Sequence, residues 1–105
     1  MNAPSEISDL NQDGDTPPYQ FRLYVTGASS HSVRAIANIK YICETYLPGR
    51  YSLEIIDVHQ QKQLAESVQL VALPLLIKQA PWPQRRLIGD LSNTERVLNT
   101  LGILS

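Results

Sequence analysis

The sequence predicts a single α/β domain whose elements follow one another in the order βαβαββα. Its 105 residues are enough for one domain and one hydrophobic core. Short runs rich in aromatic and β-branched residues predict strands. Between and after these runs, apolar residues recur at steps of three and four, as they do along one face of a helix. The alternation of the two patterns sets the fold class.

The first predicted strand covers residues 19–26, which are dense in aromatic and β-branched side chains and stop at Gly27. Because side chains alternate between the two faces of a strand, one face is predicted to be apolar and the other to carry the amphipathic Tyr24. The predicted core face consists of Phe21, Leu23 and Val25.

The first predicted helix covers residues 31–47 and follows a tight turn, residues 27–30, whose serines can cap it. The Pro-Gly pair at 48–49 ends the helix. A second strand at residues 51–58 then completes a right-handed βαβ unit with parallel strands. The predicted apolar stripe of the helix is Val33, Ile36, Ile39, Cys43 and Leu47.

A helix and a hairpin are predicted next. Residues 60–72 predict a helix with a modest stripe, which Pro74 interrupts. Residues 75–78 and 85–88 predict two short strands that pair as an antiparallel hairpin around a turn at residues 80–83. In a fold of this order we expect the Leu73-Pro74 bond to be cis. The stripe of the helix consists of Leu64, Val68 and Val71.

The last predicted helix has both of its ends marked in the sequence. Ser92 and Glu95 have the spacing of a capping box, in which each side chain satisfies the other residue's free backbone N–H. Gly102 lies where a C-terminal cap belongs, and Ile103 and Leu104 can fold back onto the helix. Its apolar face consists of Val97, Leu98 and Leu101. The complete order is that of a thioredoxin-like fold.

Composition excludes several classes of function. A formal net charge of −1 argues against a nucleic-acid or anionic-membrane binder that works by bulk charge. No apolar run approaches the roughly 20 residues of a spanning helix, and the N-terminus lacks a signal-peptide pattern. One cysteine and two histidines make a poor metal set, and no glycine-rich phosphate loop is present. We therefore expect a cytoplasmic protein without metal or cofactor.

Charge is unevenly distributed along the chain. Residues 1–18 carry four acids and no base, whereas residues 19–105 carry nine bases and six acids, which gives −4 and +3. We interpret residues 1–18 as a flexible acidic arm and residues 19–105 as the globular domain. The simplest role for this acidic arm is a solvated tail, and the alternative is a role in masking the basic face of the domain.

A redox function is the first hypothesis that a thioredoxin-like order raises. Such enzymes place a cysteine in the turn between the first strand and the first helix, where the helix N-terminus lowers the thiol pKa. The corresponding turn, residues 27–30, contains no sulfur, and Ser29-Ser30-His31 is more simply a helix cap than a nucleophile with its base. Cys43 lies on the apolar stripe and is predicted to be a buried structural residue. Redox chemistry at Cys43 remains the alternative.

Basic residues of the predicted hairpin are the better candidates for a binding site. Arg85 and Arg86 must point to opposite faces of a strand, so one can pair internally with Asp90 while the other contacts an acidic partner. Together with Lys78 and Arg34 they form the predicted partner-binding set. The alternative is an ordinary solvated face.

Trp82 lies between Pro81 and Pro83 in the predicted turn of the hairpin. An aromatic side chain held by two prolines loses little entropy on binding, which favours a contact residue. The alternative is that the indole packs over the end of the hairpin.

Several blocks of the sequence resemble the KaiB family of small clock proteins. They are RLYVTG (22–27), HSVRA (31–35), LEIIDV (53–58), QLAE (63–66) and, above all, RRLIGDLSNTERVL (85–98). The similarity runs from about Phe21 to Leu104, which is essentially the whole globular part. The sensor domain of the clock-associated histidine kinase is similar in outline but lacks the last block.

The resemblance implies a non-enzymatic protein that binds the N-terminal ATPase ring of KaiC, a RecA-like hexamer, and that helps to sequester KaiA and to recruit a sensor histidine kinase. It also implies two folds for one chain. One is a ground state, a homodimer or homotetramer with the order βαββααβ, and the other is the thioredoxin-like monomer that binds KaiC. The residues we associate with this fold switch are Pro74, Asp90, Ser92, Glu95, Thr100 and Gly102.

The chain departs from the family pattern in ways that bear on function. Thr100 occupies a position where family members usually have glycine, and a glycine inside a helix costs roughly 1 kcal/mol relative to alanine. The last helix, and with it the thioredoxin-like form, is therefore expected to be more stable than in a typical member. Glu54 stands where the family often has a base, which argues against a KaiA-type contact. These departures indicate a divergent homologue with a role in stress adaptation rather than timekeeping.

Overall fold

The computed structural model of the chain describes residues 18–27, 29–66 and 72–103. The described elements follow the predicted order βαβαββα. They are β1 (Tyr19–Val25), α1 (Ser30–Tyr46), β2 (Tyr51–Asp57), α2 (Lys62–Glu66), β3 (Leu75–Ala80), β4 (Arg85–Ile88) and α3 (Thr94–Leu101). Apart from Pro18, the predicted acidic arm lies outside the described residues.

The four strands form one sheet in the order β2-β1-β3-β4. β1 and β2 pair in parallel, with Tyr19 opposite Tyr51, as the βαβ unit requires. β3 runs antiparallel to β1 and to β4, which confirms the predicted hairpin. β4 therefore forms one edge of the described sheet, and the turn at residues 81–84 lies at the end where β1 begins.

The core divides between the two faces of the sheet, as the alternation in β1 predicts. Phe21, Leu23 and Val25 lie in the larger cluster, which packs against α1 and α3. Tyr24 points to the opposite face and is fully buried in a smaller cluster whose other buried members are Ile56, Leu75 and Ile77. Phe21, Leu23, Tyr24 and Val25 of β1 are thus all buried, although they lie on both faces of the sheet.

The face that α1 buries differs from the predicted stripe. Val33 is 53% exposed, whereas Ser32, one residue earlier, is fully buried. The Ser32 hydroxyl accepts a hydrogen bond from the backbone N–H of Thr26 at 3.1 Å, so a polar residue takes a core position that apolar spacing assigns elsewhere. Ile39 and Cys43 are buried as predicted. The residues of α1 that are buried are Ser32, Ala35, Ile39, Ile42 and Cys43.

The segment between β2 and β3 is described only in part. Helix α2 begins at Lys62 rather than at the predicted residue 60, because Gln60 and Gln61 both donate backbone hydrogen bonds to the carbonyl of Asp57 and form a turn. Residues 67–71, which include the predicted Val68 and Val71, lie outside the described residues, and so does the side chain of Leu64. The Leu73-Pro74 bond is cis, as expected for this order of elements.

The N-cap of α3 lies one residue beyond the predicted position. Asn93, not Ser92, caps the helix, because the Asn93 side chain accepts a hydrogen bond from the backbone N–H of Arg96 at 3.1 Å. Glu95 lies in the first turn, where its negative charge interacts favourably with the positive end of the helix dipole. Gly102 ends the helix in the left-handed conformation with φ 72°, which confirms the predicted C-terminal cap.

A matched pair of substitutions tests whether Asn93 rather than Ser92 is the N-cap of α3. Asn93→Ala is expected to lower the free energy of unfolding by about 1 kcal/mol, because it removes the acceptor for a helix N–H. Ser92→Ala is expected to cost less than Asn93→Ala, because Ser92 lies outside the helix and its hydroxyl bonds to the Asp90 carboxylate rather than to a helix N–H. Urea unfolding of both variants measures the difference, and a larger loss for Ser92→Ala would restore the capping box as the correct description.

Candidate protein-interaction surface

The β3–β4 hairpin presents the most exposed large hydrophobic side chain of the described residues, Trp82. Trp82 is 84% exposed in the turn, and Ile88 at the end of β4 is 52% exposed. Arg85 and Arg86 are both exposed and, as neighbours on a strand, point to opposite faces. We call Trp82, Arg85, Arg86 and Ile88 the hairpin surface. The exposure of Trp82 favours the contact role over packing across the end of the hairpin.

Lys78, the third basic residue predicted on this hairpin, does not belong to the exposed surface. It is only 4% exposed, and its ammonium group donates a hydrogen bond to the backbone carbonyl of Leu101 at 3.0 Å. Burial lowers the pKa of Lys78, and the positive charge of Arg85 lowers it further. The predicted partner contact is therefore wrong. Lys78 instead connects β3 to the C-terminus of α3. Its ammonium group bonds to the carbonyl of Leu101, one of the last carbonyls that the helix itself leaves without a hydrogen bond.

Arg34 is the fourth predicted binding residue, and it makes an internal ion pair. Its Nε lies 3.3 Å from Asp90 Oδ2, and its Nη2 lies 3.1 Å from His31 Nδ1. Asn38, one turn further along α1, donates to the backbone carbonyl of Asp90 at 2.8 Å. The predicted pairing of Asp90 with Arg85 or Arg86 is therefore wrong, since α1 supplies the partner. The Arg34 side chain remains 51% exposed.

These contacts hold the loop between β4 and α3 against α1. Asp90 Oδ1 accepts from the backbone N–H of Ser92 at 3.1 Å, which makes a tight turn. Leu91 adopts a left-handed φ of 63° and is nearly buried, so its side chain joins the core despite an unfavourable backbone conformation. Sequence reasoning missed Leu91 and Asn38. The only signal for Asn38 was its place on the polar side of the helix.

Hydrogen bonds from the side chain and the backbone of Ser92, followed by the hydrogen bond and the charge of Arg34, hold the pKa of Asp90 below its ordinary value of 3.8. A carboxylate with a lowered pKa stabilises the fold above its ordinary pKa, and this stabilisation is lost as the pH falls through the lowered value. Asp90→Asn is therefore expected to lower stability at neutral pH, and the gap to the parent is expected to close in acid. Urea midpoints measured from neutral pH down to about pH 2.5 test this. A gap independent of pH would contradict the assignment, and Glu66→Gln, at an exposed carboxylate, is the control.

The β1–α1 turn, where thioredoxin enzymes hold their cysteine, carries hydroxyl groups instead. Ser29 caps α1 by accepting from the backbone N–H of Ser32 at 3.2 Å, as predicted, and its hydroxyl donates to that of Ser32 at 2.9 Å. Cys43 is fully buried in the second half of α1, and burial raises its pKa to about 12. A thiol in this environment keeps its proton at neutral pH, so it is a poor nucleophile.

Two further features bear on the class of protein. Among the described residues, no group of three or more histidine, cysteine, aspartate or glutamate side chains is placed to hold a metal ion. Within the same part of the chain, no helix has the length and apolar character that crossing a membrane requires.

Residues 22–103, from β1 to the end of α3, match the KaiB domain family. The chain belongs to the KaiB family. The circadian clock protein KaiB3 of Synechocystis is 53% identical over 83 residues, which cover 79% of this chain and 81% of that protein. The circadian clock oscillator protein KaiB of Acaryochloris marina is 46% identical over 86 residues, which cover 82% of this chain and 83% of that protein.

Solved structures with the same arrangement confirm the thioredoxin-like fold. The N-terminal domain of SasA from Synechococcus elongatus superposes with a TM-score of 0.60 and 28% identity and covers 96% of each chain. Chloroplastic thioredoxin z superposes with a TM-score of 0.70, covers 89% of this chain and 84% of its own, and shares only 14% identity. The KaiB-family chain therefore has the fold of thioredoxins without a cysteine in the β1–α1 turn.

Proposed function

We propose that this chain is a non-catalytic regulatory protein that binds the ATPase ring of a KaiC-like, RecA-type hexamer. The observation that carries the proposal is the KaiB-family match over residues 22–103, because it reaches from within β1 to beyond the end of α3. The similar proteins of Synechocystis and Acaryochloris are named as circadian clock proteins. The chain acts in the cytoplasm, in circadian timing or in a related stress-adaptation system.

The hairpin surface is the part of the domain best suited to make the contact. Tryptophan and arginine are the residue types that dominate binding energy at protein interfaces, and Trp82, Arg85 and Arg86 lie within five residues of one another. Trp82 supplies a large apolar area, and because β4 is the edge strand of the described sheet, the two arginines present positive charge on both sides of that edge to acidic groups of a partner. The contact therefore joins an exposed aromatic anchor to acidic groups of the ring.

Two other classes of clock protein are considered as partners, and the observations favour one of them over the other. A sensor histidine kinase is a second partner class, in keeping with the structural similarity to the N-terminal domain of SasA. A KaiA-type partner is less favoured, because Glu54 replaces a base and its carboxylate is held by Arg22 at 2.9 Å on the sheet.

A second fold at rest completes the proposal. In the absence of the ring, the chain exchanges between the thioredoxin-like monomer and a homodimer or homotetramer in the βαββααβ arrangement, and mass action shifts the balance toward the oligomer as concentration rises. Of the residues assigned to the switch, Pro74 precedes β3 and the others lie in or beside α3. Thr100 lies in the last turn of α3 and favours the thioredoxin-like form.

The competing function, redox chemistry at Cys43, is less favoured because the thiol is buried and protonated.

Co-elution tests this function directly. The purified chain and the purified KaiC-like hexamer of the same organism are mixed with ATP or with ADP and analysed by size-exclusion chromatography with light scattering. We expect co-elution with the hexamer in at least one nucleotide state, and Cys43→Ser is expected to co-elute equally well. Absence of a complex in both states would contradict the proposal. Disulfide reductase activity that disappears in Cys43→Ser would establish the redox alternative.

A further inference from the structure

The acidic arm carries charge opposite to that of the domain behind it. Glu6, Asp9, Asp13 and Asp15 lie within ten residues of one another, and residues 1–18 contain no base. Residues 19–105 carry a net charge of +3, and Arg85-Arg86 is the only place in the sequence where two bases are adjacent. The strongest local attraction for the acidic arm is therefore expected at this pair.

The strand register places the end of the acidic arm beside the hairpin surface. The arm enters the domain at β1, where Gln20 lies opposite Ala80, the last residue of β3. Arg85 begins β4 and lies opposite Lys78 on the same β3 strand. β1 and β4 are two strand spacings apart, about 10 Å. Asp15, four residues before β1, can reach about 13 Å from it, and Asp13 and Asp9 can reach further.

Arg86 has apolar neighbours that suit the rest of the acidic arm. A shallow cavity of about 220 Å³ beside β4 is lined by Arg86, Ile88 and Arg96, together with Leu75 and Leu87. The acidic arm has two aliphatic side chains among its acids, at Ile7 and Leu10. A segment with this composition matches a surface on which Arg86 and Arg96 flank the exposed Ile88.

We propose that the acidic arm docks on the hairpin surface of its own chain and competes there with the partner ring. Docking itself does not require a ring, whereas its regulatory consequence rests on the proposed function. A tethered segment acts at an effective concentration of about millimolar, so even weak charge pairing occupies the surface for much of the time. The acidic arm is thus a built-in competitor that lowers the affinity for acidic partners.

Nuclear magnetic resonance tests docking in the free chain at a dilution where the thioredoxin-like monomer dominates, because the hairpin surface belongs to that form. An arm-neutral variant carries Glu6→Gln, Asp9→Asn, Asp13→Asn and Asp15→Asn, and its matched control carries alanine at the uncharged arm residues Asn2, Ser5, Asn11 and Gln12. At low salt we expect the neutral variant to shift the Trp82 indole and the Arg85 and Arg86 signals, while the control leaves them unchanged. The shift should vanish near 1 M NaCl, where the screening length is about 3 Å.

Three results would overturn docking by the chain's own arm. They are identical spectra at low salt, shifts confined to residues outside the hairpin surface, and shifts that disappear on dilution, which would mean that the arm of a second copy is bound.

Affinity for the ATP-loaded ring separates this inference from the proposed function. We expect the neutral variant to bind about three- to tenfold more tightly than the parent at low salt. If neither variant binds, the proposed function fails while the docked arm stands. Equal affinities of the neutral variant and the parent for the ring would refute competition between the acidic arm and the ring.

Discussion

Replacing Lys78 with alanine is expected to lower the free energy of unfolding by about 3 kcal/mol, an unusually large effect for a lysine. Two losses combine in this variant. The ammonium group no longer reaches the carbonyl of Leu101, and a hydrogen bond from a charged donor is worth about 1.5–3 kcal/mol. The buried aliphatic stem of the side chain is also removed, which leaves unfilled space between β3 and α3.

Comparison with two other variants separates these losses. Lys78→Met keeps most of the stem and is expected to lose roughly half as much stability as Lys78→Ala, because only the hydrogen bond and the charge are removed. Lys40→Ala, at an exposed position of α1, is expected to change stability by less than about 0.5 kcal/mol. Chemical unfolding at neutral pH measures all three. A loss for Lys78→Ala no greater than that for Lys40→Ala would mean that Lys78 is solvated after all.

Removing both arginines of the hairpin surface is expected to weaken binding to the ATP-loaded ring by at least about tenfold, since close charge pairs across an interface are each worth about 1.5 kcal/mol or more. The domain is expected to remain folded, because exposed single charges contribute little to stability. The measurement is a titration of the ring with the Arg85→Ala, Arg86→Ala double variant, made alongside its circular dichroism spectrum.

A charge-matched control makes this test specific. The Lys40→Ala, Lys62→Ala double variant removes the same net charge from exposed positions on α1 and α2 and is expected to bind like the parent. Equal weakening by both double variants would mean that only overall charge matters. Loss of the folded spectrum in the arginine variant would mean that one of the two arginines is structural.

The strands and their faces follow from local patterns, and for this reason they could be predicted. Alternation in β1 placed Phe21 and Tyr24 on opposite faces, and both are buried there. The hairpin and the glycine cap at Gly102 also depend on residues close in sequence. Family membership could be recognised from contiguous blocks such as residues 85–98.

The parts that could not be predicted depend on contacts between distant residues. Arg34 and Asp90 are 56 residues apart, and nothing near Asp90 indicates that α1 will supply its partner. The burial of Lys78 depends on how closely α3 approaches β3, which spacing along the chain does not encode. The cap of α3 moved by one residue because Ser92 and Asn93 are both capable caps, and the bond from Ser92 to Asp90 selects Asn93.

The central claim is that this KaiB-family chain binds a KaiC-like ring through the hairpin surface. Hydrogen–deuterium exchange of the chain, alone and with a saturating amount of the ATP-loaded hexamer, tests it most directly because it reports where the chain is covered. We predict that protection gained on binding is greatest across residues 81–88. Protection that leaves residues 81–88 unchanged while covering another face, or no protection at a concentration of ring that saturates binding, would contradict it.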